Sequence, residues 1–291
     1  MKEIYRAAEK NFCKIPEGLR DLVTVRIAEF YLQFGPGHGF KTNKGRYWGH
    51  KIMTDWLEGR PTPLSEFAQG LFDGFRFEFE GVGSLPLKGA EILVVNQPSS
   101  GPLRGNWFKF LVNMAVAERR LRLGNFEARW VQKDTSDHPI FQQTLLGIQR
   151  ARLARMIAKS CNTIMVGTSL SSRENLRAVL EMRKHLNSGV LVISPEGQDS
   201  GVLRRGKSEA GELIALLVNK LQVPVRPVGV WSDNENLHVK FGDQIAIDSA
   251  ADGQKVVDRL MVGIAQLLPE NRRGVYRKLE DGAKIGGFRL V

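Results

Sequence analysis

A chain of 291 residues with 42% hydrophobic and 25% charged side chains has ordinary globular composition, which argues against disorder over its bulk. The formal net charge of +11 points to anionic partners: lipid headgroups, acidic carrier proteins, coenzyme A phosphates or nucleic acid. Cys13 and Cys161 are far apart and have no CxxC neighbour, so neither a disulfide framework nor a zinc site is suggested, and both are expected to be small buried apolar residues. Met1-Lys2-Glu3-Ile4-Tyr5-Arg6 lacks the apolar core of a signal peptide, and no apolar stretch approaches the roughly 20 residues that span a bilayer. The expected setting is cytoplasmic, with at most a peripheral contact on the inner face of an anionic membrane.

Along the chain, Leu22, Val25, Ile27, Phe30, Tyr31 and Phe34 recur at near-helical spacing up to the breaker Gly35-Pro36-Gly37. A Gly-rich basic loop is expected over Phe40 to Gly49, then an apolar helical set of Trp48, Ile52, Trp56 and Leu57, and a short helix from Ser65 to Phe72. Phe75-Arg76-Phe77-Glu78-Phe79-Glu80 alternates strictly and reads as a half-buried strand. Strands and helices then alternate: strand Ile92–Val95, helix Trp107–Arg120, strand Ala128–Val131, and helix Leu145–Lys159 with a basic face of Arg150, Arg152, Arg155 and Lys159. Strand Ile164–Val166 follows, then a helix opened by Ser171 with Glu174 and closed by Asn187-Ser188-Gly189. Strand Val190–Ile193, a buried helix Glu209–Leu221, strands Val223–Trp231 and Leu237–Phe241, and an amphipathic helix Gln254–Leu268 complete the pattern. This alternation predicts an α/β fold with a mostly parallel central sheet flanked by helices. Three parts are expected: a helical, aromatic-rich extension over 1–74, the α/β domain over 75–247, and a carboxy-terminal helix and tail over 248–291 packed on it.

In such sheets ligands bind beyond the carboxyl ends of strands. Two strand ends stand out, Val94-Val95-Asn96-Gln97-Pro98-Ser99-Ser100-Gly101-Pro102 and Val192-Ile193-Ser194-Pro195-Glu196-Gly197-Gln198-Asp199-Ser200. Alone, either is an ordinary turn between strand and helix.

Taken in order, however, the motifs resemble the glycerolipid acyltransferase family (lysophosphatidic acid acyltransferase-like). Gly81-Val82-Gly83-Ser84-Leu85-Pro86 resembles its Gly-x-x-x-x-Pro turn, and Ser194-Pro195-Glu196-Gly197 its Phe-Pro-Glu-Gly motif. Arg204-Arg205-Gly206-Lys207 is similar to its basic Lys-x-Gly segment, and Val223-Pro224-Val225-Arg226-Pro227-Val228 to its Val-Pro-x-x-Pro-Val strand. Val239 to Ile245 resembles the strand and turn that close the domain. The likeness covers Phe75 to Ile247. It implies lipid metabolism and an acyl donor, acyl-CoA or acyl carrier protein, with no other cofactor.

In that family a His-x-x-x-x-Asp motif supplies a histidine that deprotonates the acceptor hydroxyl and an aspartate that orients it. Aligned through Asn96, those positions hold Gln97 and Pro102. A neutral glutamine cannot take up a proton near pH 7, and loss of a general base costs roughly 100-fold to 10,000-fold in rate. The arginine of the second motif is also missing, with Gly167 or Thr168 at its place, and the Thr-Arg of the third is Gln198-Asp199, a reversal of charge.

The replacement bases to weigh are His138, in the loop Asp137-His138-Pro139, and Glu196, whose plainer role is to hold its own loop. Ser99 and Ser100 read as turn formers without a paired base. The expected ligand contacts are Asn96, Gln97, Ser99, Ser100, Glu196, Gly197, Arg204, Arg205 and Lys207, the last three placed to meet an anion before a helix amino terminus. Two functions follow. One is a degenerate relative that binds an acyl chain or acyl donor; the other is an active acyltransferase that uses a modified site on a non-standard acceptor. Nucleic-acid binding would rest on charge alone, without an aromatic-basic or zinc motif, and is not expected.

Overall fold

The computed structural model describes residues 41–98, 101–104, 106–120, 128–133, 155–167, 173–197, 200–248 and 251–281. The fold is α/β, a seven-stranded, mostly parallel sheet flanked by helices. In chain order the strands are β1 (Arg76–Glu80), β2 (Glu91–Val95), β3 (Arg129–Lys133), β4 (Ile164–Val166), β5 (Val190–Ile193), β6 (Val225–Asp233) and β7 (Asn236–Phe241). The helices are α1 (Asn43–Leu57), α2 (Leu64–Leu71), α3 (Phe108–Arg120), α4 (Arg173–His185), α5 (Ser208–Leu221) and α6 (Gly253–Leu267). A helical stretch over 155–160 precedes β4.

The spatial order is β1-β7-β6-β2-β5-β3-β4. Every neighbouring pair is parallel except the β6–β7 hairpin. Its turn places Asn234 at a positive φ of 42°, a backbone region that asparagine tolerates. The central strands β2 and β5 are buried along their whole length, as continuous apolar runs require when both faces of a parallel sheet are covered. Edge strand β1 alternates between exposed and half-buried positions, as its period of two predicts.

Alternate side chains of the central strands enter two different cores. Leu93 and Val95 join an aromatic core with Trp56, Phe72, Trp107, Phe108 and Trp130, built by α1, α2 and α3. Phe108 meets Trp130 edge-on at 5.2 Å between ring centroids, and Trp107 stacks on Phe110 at 5.5 Å, contacts worth about 0.5–1.5 kcal/mol each beyond area burial. Ile92 and Val94 face the aliphatic core of α4, α5 and α6 with Ile193, Leu213, Ile214, Val257 and Leu260. The described part of the amino-terminal extension therefore shares a core with the sheet. Cys161 is buried in the aromatic core, whereas Cys13 lies outside the described residues.

One expectation is corrected. The stretch read as a loop over Phe40 to Gly49 is helical from Asn43, because the Thr42 side chain caps the helix by accepting the Gly45 N–H at 3.1 Å. Gly45 and Gly49, which suggested a loop, are buried positions within this helix.

A buried ionic cluster at the amino end of the sheet was not anticipated. Glu91 is fully buried at the start of β2 and accepts a hydrogen bond from Arg226 Nε at 2.9 Å. Arg226 also donates to the Ser84 hydroxyl and carbonyl and to the Gly242 carbonyl. The Ser84 turn depends on Gly81, at φ 71°, where a Cβ would lie 2.4 Å from the Phe241 carbonyl oxygen. Arg120, also fully buried, donates to the Gly89 and Ser188 carbonyls. Burial lowers its pKa, opposed by the Glu91 charge. These charges sit at the end of the sheet opposite the candidate site and hold the connections between elements.

Candidate functional site

β2 and β5 pair in parallel, with Val94 opposite Ile193, so the two singled-out loops leave the sheet side by side. Asn96 clasps β6. Its Nδ2 donates to the Val230 carbonyl at 2.8 Å, and its Oδ1 accepts the Val230 N–H at 2.7 Å. Glu196, 2% exposed, ties the β2 loop to both ends of its own: Oε2 accepts the Gln97 N–H and Oε1 the Arg204 N–H, both at 2.8 Å. The Ser200 N–H donates to the Gln97 carbonyl at 3.1 Å, and the Ser200 hydroxyl accepts Arg204 Nε at 3.1 Å.

The carboxy-terminal segment secures the same loop from the other side. Arg272 donates to the carbonyls of Gly201 and Ser232, and its own carbonyl accepts the Leu203 N–H. Tyr276 is buried beside Gly206. Burial first and the Asp258 charge second push its phenol up to about 12, so it remains a neutral hydroxyl in the physiological range.

What remains between these parts is a crevice of about 20 Å³ beside Gln97, lined also by Asn96, Glu196, Ser200, Trp231 and Arg272. That volume accommodates about one water molecule. Pro102 is buried in a 3₁₀ turn, Gly101–Leu103. Glu196 is the only carboxylate among the described residues lining the crevice, and its oxygens tie loops together. Ser99, Ser100, Gln198, Asp199 and His138 lie outside the described residues.

Two further histidines, His185 and His238, have separate settings. His185 Nε2 lies 2.9 Å from the Val190 carbonyl, at the opposite end of β5. His238 stacks on Trp231 at 4.6 Å between centroids, with Glu78 and Asp233 carboxylates 3.0 and 3.1 Å from its two ring nitrogens.

The three basic residues expected to meet one anion diverge. Arg204 binds Ser200, and Arg205 pairs with the buried Asp258 at 3.4 Å, while Lys207 lies against Gly197 at the start of α5. Sequence proximity misled here because each side chain is held by a different partner: Arg204 by its own loop, Arg205 by α6 and Lys207 by the turn at Gly197.

Lys207 instead lines a second hollow that sequence reasoning missed. Between α4 and α5 lies a cavity of about 140 Å³ with a mainly apolar wall of Val131, Val166, Val179, Ile193 and Leu213. Ser194 and Lys207 lie on its lining, and the buried Ser194 hydroxyl has no hydrogen-bond partner among the described residues. Gly167, one of the two positions that align with the arginine of the second motif, is on the wall, its N–H donating to the buried Asn175 side chain at 2.6 Å, while the other, Thr168, lies outside the described residues. No local sequence signal marks this hollow, because its wall residues lie on different elements. No protein-family model and no curated protein matches the chain.

Proposed function

We propose that this protein is a degenerate relative of the glycerolipid acyltransferases that binds an acyl chain or acyl donor without transferring the acyl group. The observation that carries this reading is the pairing of an apolar cavity of about 140 Å³ with a crevice of about 20 Å³ beside Gln97. The described lining of the crevice offers one carboxylate, Glu196, and both of its oxygens accept backbone N–H groups, which argues against its acting as the general base that the transfer needs. The cavity is close in size to an engineered apolar cavity of about 150 Å³ that takes up benzene, so it suits a short hydrocarbon segment. At its polar side the lining holds the Lys207 ammonium, the Ser194 hydroxyl and the Glu209 carboxylate; the first two are suited to a thioester carbonyl or, with the Glu209 charge opposing, a carboxylate.

The test uses the full chain with labelled acyl-CoA or acyl carrier protein and a panel of hydroxyl and amine acceptors. Saturable binding with no transfer above the uncatalysed rate is the expected outcome. Turnover by the unmodified chain overturns it in favour of an active acyltransferase with a modified site. In the double variant Gln97→His with Pro102→Asp, binding is retained and transfer stays absent if the narrow crevice limits the chemistry.

A further inference from the structure

We propose that α4 docks on an anionic lipid surface through Leu176 and Leu180. This inference is independent of the acyl-binding reading. The two leucines are one turn apart on the same helix face, and they remain 62% and 54% exposed. The inner face of α4 is satisfied by the buried Ala178 and Met182, so the leucines are an addition to an already packed amphipathic helix.

Their surroundings select the partner. Arg177, Arg183 and Lys184 are exposed within one turn of Leu180. Glu181, the acidic neighbour, is held by Arg129 Nη2 at 2.6 Å, and His185 is directed inward to the Val190 carbonyl. The outward face is therefore two leucines among cations, on a chain of net charge +11. A helix lying in the plane of a lipid interface has this composition, with leucines entering the acyl boundary and basic side chains at the headgroups. Two leucines are too few for the buried core of a stable protein–protein interface, but they are sufficient to add to electrostatic attraction at a membrane. The same helix supplies Asn175 and Val179 to the cavity wall, so docking would bring the cavity close to the lipid.

The test is co-sedimentation of the full chain with vesicles of phosphatidylglycerol and phosphatidylcholine, and with phosphatidylcholine alone, at low and physiological salt. The unmodified chain binds the anionic vesicles, more weakly as salt rises. The double variant Leu176→Ser with Leu180→Ser loses affinity by at least tenfold, and each of Arg177→Gln, Arg183→Gln and Lys184→Gln loses about fivefold. Lys220→Gln, Lys255→Gln and Arg259→Gln, exposed cations on α5 and α6, remain within about twofold and serve as charge controls. Far-ultraviolet circular dichroism and an unchanged urea midpoint verify that each variant is folded. Leucine-independent vesicle binding, or equal losses in the charge controls, overturns the proposal. So does a chain that ignores vesicles but self-associates through Leu176 and Leu180 in sedimentation velocity, which would assign the patch to a second copy.

Discussion

The crevice beside Gln97 and the cavity between α4 and α5 share the Ser194–Gly197 loop as a wall, yet they are built on opposite plans. Glu196 faces the crevice, where its carboxylate accepts two backbone N–H groups. Ser194, Pro195 and Gly197 face the cavity, among valine, isoleucine and leucine side chains. In the crevice, polar groups meet polar groups and little volume is left. In the cavity, mainly apolar walls enclose a larger volume, about 140 Å³. Within one loop, therefore, the Glu196 carboxylate serves rigidity, while the larger space lies on the side of Ser194 and Gly197.

The largest expected effect tests whether the crevice is structural. Glu196→Ala leaves two inward N–H groups without their charged acceptor and should destabilise the fold by about 3–5 kcal/mol in urea denaturation. A loss below about 1 kcal/mol would mean that the carboxylate is free for another role, and the contrast between the two hollows would collapse. Next in size is a change on the other side of the loop. Val179→Phe fills the cavity and should weaken binding of a fluorescent acyl probe at least tenfold, with folding stability within about 1 kcal/mol because the new ring occupies existing space. Undiminished probe binding in that variant would place the acyl site elsewhere.

These two regions were unequally legible in the sequence. The strand-end loops were found because punctuation by Pro, Gly and small residues after apolar runs is a local signal, and the parallel sheet placed them together. The cavity was not, because Val131, Val166, Ile193 and Leu213 lie on different elements, and each reads as plain core until the gap between them is seen. Glu91 and Arg226 escaped for a related reason. A buried ion pair joins residues 135 positions apart, and no periodicity announces such a partnership. The loop expected at Gly45 and Gly49 failed because a Thr42 cap and packing outweighed the helix cost of glycine, about 1 kcal/mol per residue. Strand order was also beyond reach, since β1 joins the sheet through β7 from the far end of the domain.

A smaller effect separates the apolar part of the cavity from its polar side. Lys207→Gln should reduce affinity for carboxylate-headed probes about threefold to fivefold, the scale of an exposed charge pair, and leave uncharged alkyl probes unaffected. Equal losses for both probe types would indicate that Lys207 contributes through its aliphatic stem, as a packing residue. Either result is read by isothermal titration with matched alkyl lengths.

The smallest effect concerns the far end of α4. Burial holds the His185 imidazole below its ordinary pKa of 6.5, with the Arg129 and Arg120 charges acting in the same direction and the Val190 carbonyl opposing. The unfolded chain therefore takes up this proton more readily than the folded one. The contribution to stability is complete above about pH 6.5 and declines as the pH falls from there through the folded pKa. His185→Gln should flatten that segment of the stability–pH curve while leaving the neutral-pH crevice contacts intact. Because α4 also supplies Asn175 and Val179 to the cavity, acidification should weaken acyl-probe binding in the unmodified chain more than in the variant. Stability measured by urea denaturation, paired with probe titration across the same pH range, checks both halves. Parallel curves for the two proteins would show that α4 is anchored independently of its last turn, and the cavity would then be as rigid as the crevice it adjoins.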